Sequence, residues 1–207
     1  MLSEPEKDDD VVVTLRRGRG RPRDSSKDVL VLAAIRESLI EDGFEATTIP
    51  AVAKRAGVGA PTIYRRWPTQ IDLVEAIVDE VFSEVDVLTD DSDFPDAVYR
   101  IAEGAFRFFG DPAARRAIPG LLSAYNGDPS RYAALTDRVE VPARKVFRRI
   151  HARAVKQGLA ARRPDADTLF STISGAAIGY AAFHGDVTRK TIRNVAELAL
   201  LSSRPGC

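Results

Sequence analysis

From Lys27 onward, apolar residues recur three and four positions apart, and glycine or proline cuts the pattern into segments. That period belongs to helices, because a half-buried strand would alternate instead. Val29, Leu32, Ala33, Ile35, Leu39 and Ile40 make the first stripe, which Gly43 stops. Ile71, Val74, Ile77, Val78, Val81 and Phe82 make another. The pattern continues over about 95–109, 113–125, 130–157, 165–185 and 189–201. Pro119 and Gly120 are expected to interrupt the second of these, and Pro142 to kink the third. Only "VVVTL" (11–15) reads as a short extended piece, and no long internal repeat is present. The chain is predicted to be all-α, with about nine helices.

Charge is balanced overall but not locally: 30 basic and 30 acidic side chains cancel, yet "RRGRGRPR" concentrates Arg16, Arg17, Arg19, Arg21 and Arg23. A local basic run in a neutral chain points to one anionic contact surface rather than a general polycation. Residues 1–26 have no helical period and are expected to be a flexible basic arm. Acids gather at Asp86, Asp90, Asp91, Asp93 and Asp96, a stretch that reads as a solvated linker. It has neither the glycine nor the terminal glutamate of a calcium loop. The single cysteine, Cys207, allows no internal disulfide, and no leader-like or membrane-length apolar run stands out. The expected compartment is the cytoplasm.

Residues 47–67 carry the most specific pattern. Thr47 or Thr48 caps a short helix in which Pro50 fits the first turn, and Gly57 ends it. "GVGAP" turns sharply, and Pro61 opens the next helix, "PTIYRRW". Three short helices with a tight turn between the last two form a helix-turn-helix, whose final helix enters a DNA major groove. Ile63 and Trp67, four apart, face inward. Thr62, Tyr64, Arg65 and Arg66 remain for DNA: arginine reads guanine or grips phosphate, and hydroxyls bond phosphate. Gly59 and Ala60 are small enough for close approach. Lys54 and Arg55 read as a solvated helix face.

The stretch "TTIPAVAKRAGVGAPTIYRRWPTQIDLVEAI" (47–77) resembles the DNA-binding region of the tetracycline-repressor (TetR) family. The likeness lies in Thr-Thr, the A-x-x-A-G-V turn, T-I-Y-x-x-W and the Pro-Thr-x-x-x-L start of the fourth helix. "AAIRESLIEDGFEATT" resembles the family's first helix. The resemblance implies a DNA-binding unit over 27–70 and a helical effector-binding and dimerising unit over 71–207. It also implies a homodimer on double-stranded, palindromic operator DNA, released by a small and largely apolar effector. By position, Thr48 would hold phosphate, and Ala60, Pro61, Thr62, Tyr64, Arg65 and Arg66 would lie on or beside DNA. Gln70 stands where the family often carries a phosphate-binding lysine. In addition, "GRGRP" resembles an AT-hook core, suited to an A·T minor groove.

The aromatic residues of the C-terminal part are core by default. The resemblance makes Tyr99, Phe106, Phe109, Tyr125, Phe147, Phe170, Tyr180 and His184 candidates for lining an effector pocket, with Asn126 beside them. Gly175 and Gly179, with Ala176 alongside, would let helices approach closely. With Phe183, Val195 and Leu198 they are the candidate dimer interface. His151 reads as a surface position. No nucleophile-base set, metal-ligand spacing or phosphate loop is present, so neither cofactor, metal nor enzymatic activity is expected. An effector-independent architectural DNA-binding protein using the arm is the alternative.

Overall fold

The computed structural model describes residues 25–83, 88–183 and 187–206. Among them are ten α-helices and no strand. The extended piece at 11–15, the five arm arginines, Asp86, His184 and Cys207 lie outside the described residues.

The first four helices are α1 (Ser25–Glu41), α2 (Ile49–Ala56), α3 (Ala60–Tyr64) and α4 (Gln70–Ser83). Thr48, not Thr47, caps α2, accepting from the Ala51 N–H at 3.4 Å. Thr47 is fully buried, and its hydroxyl donates to the Gly43 carbonyl at 2.8 Å. Gly57 closes α2 at φ 64°, a left-handed conformation that glycine adopts without penalty. The start of α4 is fixed reciprocally: Thr69 N–H donates to Asp72 at 2.9 Å, and Asp72 N–H donates to Thr69 Oγ1 at 3.2 Å.

Six helices follow: α5 (Phe94–Gly110), α6 (Pro112–Gly127), α7 (Pro129–Val139), α8 (Val141–Lys156), α9 (Ala166–Phe183) and α10 (Arg189–Ser202). Two expectations need correction. Pro119 and Gly120 do not interrupt α6, because Ala113, Ala117, Leu121 and Tyr125 bury one continuous face while Pro119 points outward. The proposed kinked helix over 130–157 is two helices. Pro142 stands in the first turn of α8, where a missing N–H costs nothing.

Two apolar cores result. The first unites α1–α4 with α6 and with Leu135 of α7; the second joins α5, α8, α9 and α10. His151 is buried in the second, against the Phe94 ring at 5.4 Å, which corrects its expected surface position. Burial lowers its pKa, although the Ala161 backbone and Asp165 oppose the shift.

Candidate nucleic-acid interface and ligand cavity

Helix α3 is anchored on one side and open on the other. Ile63 is fully buried, and Trp67 packs partly buried on the same core. Opposite them, Pro61, Tyr64 and Arg65 are exposed, Tyr64 by 48%, and Thr62 and Ala60 are half-buried. Thr48, at the start of α2, is exposed as well. The structure therefore brings Thr48, Pro61, Thr62, Tyr64 and Arg65 to the surface of the helix-turn-helix. Lys54 is also exposed.

Two candidates have other partners. Arg66 forms an ion pair with Asp28 of α1, and its guanidinium lies 5.0 Å from the centre of the Trp67 ring. Gln70 Nε2 donates to the Phe44 carbonyl at 2.7 Å, so it braces the corner after α1. Arg55 does more than cover a helix face. It pairs with Glu41 at 2.5 Å and Asp42 at 2.8 Å, tying α2 to the end of α1.

Three joints fasten this head to the rest. Arg36 of α1 bonds Glu80 at 2.9 Å and Asp111 at 2.8 Å. Asp111 in turn caps α6 through the Ala113 and Ala114 N–H groups, both at 2.9 Å. The Phe44 ring sits where a Cβ on Gly120 would stand, so α6 meets the head at a residue without a side chain. Glu75 of α4 is buried and accepts from Arg131 Nε at 2.7 Å and Tyr125 hydroxyl at 3.2 Å. Arg131 also bonds Asp72. Burial opposes the Arg131 charge, but these two acids outweigh it and raise its pKa. Burial first, then the Glu75 charge, pushes the Tyr125 hydroxyl up. None of these joints has a sequence signature, since their partners are far apart in the chain.

Between α5, α7, α8 and α9 lies a cavity of about 430 Å³, within the usual size of small-molecule sites. Phe109 and Phe170 line it, as the resemblance implied. Tyr99 and Phe106 instead border an open groove between α5 and α10, and the Tyr180 ring packs 5.8 Å from that of Phe106. The structure does not bring Phe147 and Tyr125 to the cavity: Phe147 is fully buried in the second core, and Tyr125 belongs to the Glu75 cluster. Asn126 is exposed at the end of α6. Among the cavity residues without a sequence signal for that role are Phe82, Phe108, Arg100, Arg138 and Arg144. Only a two-sided reading of α5 could have flagged Phe108. On α9, Gly175 is exposed, Gly179 and Ala176 are half-buried, and Phe183 is 84% exposed. On α10, Leu198 is 64% exposed, whereas Val195 packs on the second core. No described group of His, Cys, Asp and Glu could hold a metal ion, and no described helix is long and apolar enough to cross a membrane.

The profile of bacterial regulatory proteins of the tetR family matches residues 31–77, and that of the tetracyclin repressor-like C-terminal domain matches residues 88–199. The chain belongs to the TetR family. Its fold is similar to that of a tetR-family regulatory protein from Rhodococcus RHA1, with a TM-score of 0.65 at 20% identity over 87% of this chain and 98% of that one. A TetR regulator from Agrobacterium tumefaciens gives 0.61 at 18% identity, over 85% and 91%. An uncharacterised HTH-type transcriptional regulator of Mycobacterium bovis is 27% identical over 159 residues, 75% of this chain and 78% of that one. A Bacillus subtilis regulator is 39% identical over 56 residues, only 28% of its own length. This TetR-family chain is thus an HTH-type transcriptional regulator, with the family's DNA-binding helices at its N-terminal end.

Proposed function

We propose that the protein is a homodimeric repressor that binds a palindromic operator and releases it when a small molecule fills the C-terminal cavity. The observation that carries this reading is α3: Ile63 fixes it from behind while Tyr64 and Arg65 stand free in front. Residues 27–70 then read DNA, and 71–207 hold the effector and the dimer surface. A two-fold pair of such heads would meet successive major grooves about 34 Å apart. Exposed Phe183 of α9 and Leu198 of α10 support pairing through these two helices. The cavity favours an effector-controlled regulator over an architectural protein that needs none. The arm arginines add minor-groove contact in this reading, so removing residues 1–23 weakens binding and flattens its salt dependence. Cytoplasmic location follows from the same role.

The deciding experiment is quantitative binding to the protein's own promoter region. Tyr64→Ala with Arg65→Ala lowers affinity by about 10- to 100-fold, the effect of losing one or two groove contacts. Unchanged affinity would sink the proposal.

A further inference from the structure

We infer that the cavity takes an amphipathic organic anion, a carboxylate on an apolar body, with Arg138 of α7 as the partner of the charge. The inference rests on the reading of this cavity as the effector site. Its walls are mostly apolar and aromatic, with Phe82 of α4, Ile101, Phe108 and Phe109 of α5, and Phe170 of α9. The charged side chains among the described lining residues are Arg100, Arg138, Arg144 and Glu140. Cations therefore outnumber acids three to one.

Their partners separate them. Glu140 is already taken, because Arg144 donates to its Oε1 from Nε at 2.8 Å and also from Nη2. Arg144 is equally engaged. It reaches Ser171 Oγ at 2.9 Å, and its guanidinium lies 4.4 Å from the centre of the Phe170 ring. Arg100 holds Asp96, one turn away on the same helix, through Nε at 2.8 Å.

Arg138 is different. Its nitrogens lie 3.5 Å from both Asp79 oxygens, 3.6 Å from Glu75 and 3.4 Å from the Ala134 carbonyl. All exceed the ordinary range for such bonds, which ends near about 3.2 Å. A carboxylate arriving at normal distance would be a better partner than any of these, and a charge-assisted bond is the strong kind. Glu75 would not be orphaned, since Arg131 and Tyr125 remain on it. A cationic ligand would find only Glu140, already covered by Arg144. A neutral one would leave Arg138 unused.

The geometry also gives the anion a consequence. Asp79 lies on α4, the helix that holds the Phe44 corner through Gln70. Drawing Arg138 toward the cavity gives up its contacts to Asp79 and Glu75 and loosens the C-terminal end of α7 from α4, while Arg131 keeps the N-terminal end in place. A ligand that binds the loosened arrangement better shifts the equilibrium toward it.

The test is calorimetric titration of the full chain with decanoate, 1-decanol and decylamine below their aggregation concentrations, with promoter binding measured in parallel. Decanoate is expected to bind at least about tenfold more tightly than decanol, the value of one charge-assisted contact, and decylamine more weakly than either. Arg138→Gln removes the preference for decanoate, and Arg138→Lys restores part of it, with far-UV dichroism and thermal melting confirming that both variants fold. Equal binding of decanoate and decanol, tightest binding of decylamine, no binding of any probe, or a preference that survives Arg138→Gln in a folded protein each overturns the inference. Failure of the functional proposal looks different. There, decanoate is preferred as expected, but promoter affinity responds neither to it nor to the Tyr64 and Arg65 changes.

Discussion

The head and the body of this protein use the same kind of residue to opposite ends. Around Ile63 the apolar side chains close completely: Ile35, Leu39, Val52, Leu73, Val74 and Ile77 are all at 0% exposure. Around Phe109 they do not close, and about 430 Å³ stays open between four helices. A close-packed unit has one low-energy arrangement, whereas walls around a void can settle in more than one. A DNA-reading surface needs the first property, because side-chain positions must match groove geometry. A sensor needs the second, because the occupant must change something.

The largest test of that contrast is Ile63→Ala. Removing a fully buried side chain from a sealed core should destabilise the protein by about 2–5 kcal/mol in urea melts and abolish promoter binding. A loss below 1 kcal/mol would show that the head is looser than its packing suggests. Next comes Gly120→Ala. Alanine is the better helix former by about 1 kcal/mol, but the new Cβ would collide with the Phe44 ring. A net destabilisation of about 1–2 kcal/mol is expected from overpacking. Combined with Phe44→Ala, the same change should become stabilising, which a double-mutant cycle reads directly.

A smaller effect marks the body. Ala105 lines the cavity, so Ala105→Val adds methyl groups to open space and should change stability by less than about 1 kcal/mol. It should nonetheless weaken decanoate binding. A large loss of stability would mean that the space is not there. The smallest effect is acid sensitivity. Burial raises the Asp72 pKa, but hydrogen bonds from Thr69 and Arg131 outweigh it and leave the carboxyl below its ordinary value. A depressed folded pKa contributes stability at pH values above the unfolded one, near about 3.9, and that stability is lost as pH falls through the folded value. Asp72→Asn should therefore flatten the decline below about pH 4, as followed by thermal melting.

The head was legible because its rules are local. Thr48 caps through the N–H three residues on, Gly57 turns the chain at one residue, and Ile63 and Trp67 share a face by spacing alone. Arg66 and Gln70 escaped the same reasoning because their partners, Asp28 and the Phe44 carbonyl, lie on another helix and its following corner. Nothing in "YRRW" distinguishes the arginine that reaches outward from the one that folds back. In the body, an aromatic residue on an amphipathic helix serves a core and a cavity equally well. The resemblance implies all four of Phe109, Phe170, Phe147 and Tyr125 for the cavity, yet only the first two line it, because all four carry the same kind of pattern. Pro119 breaks its helix less than its residue type suggests and Pro142 marks a fuller break, since only the packed face of α6 and the first turn of α8 decide what a proline does.

Helix α6 stands between the sensor helices α5 and α7 in chain order, yet its Ala113, Ala117, Leu121 and Tyr125 belong to the core of the head. This bears on chimeras. Joining this head to another sensor between α4 and α5 would set a foreign helix into a native core and, with any side chain at the position of Gly120, against Phe44. A graft that keeps the native face of α6, from Asp111 to Tyr125, would carry the docking surface along with the head.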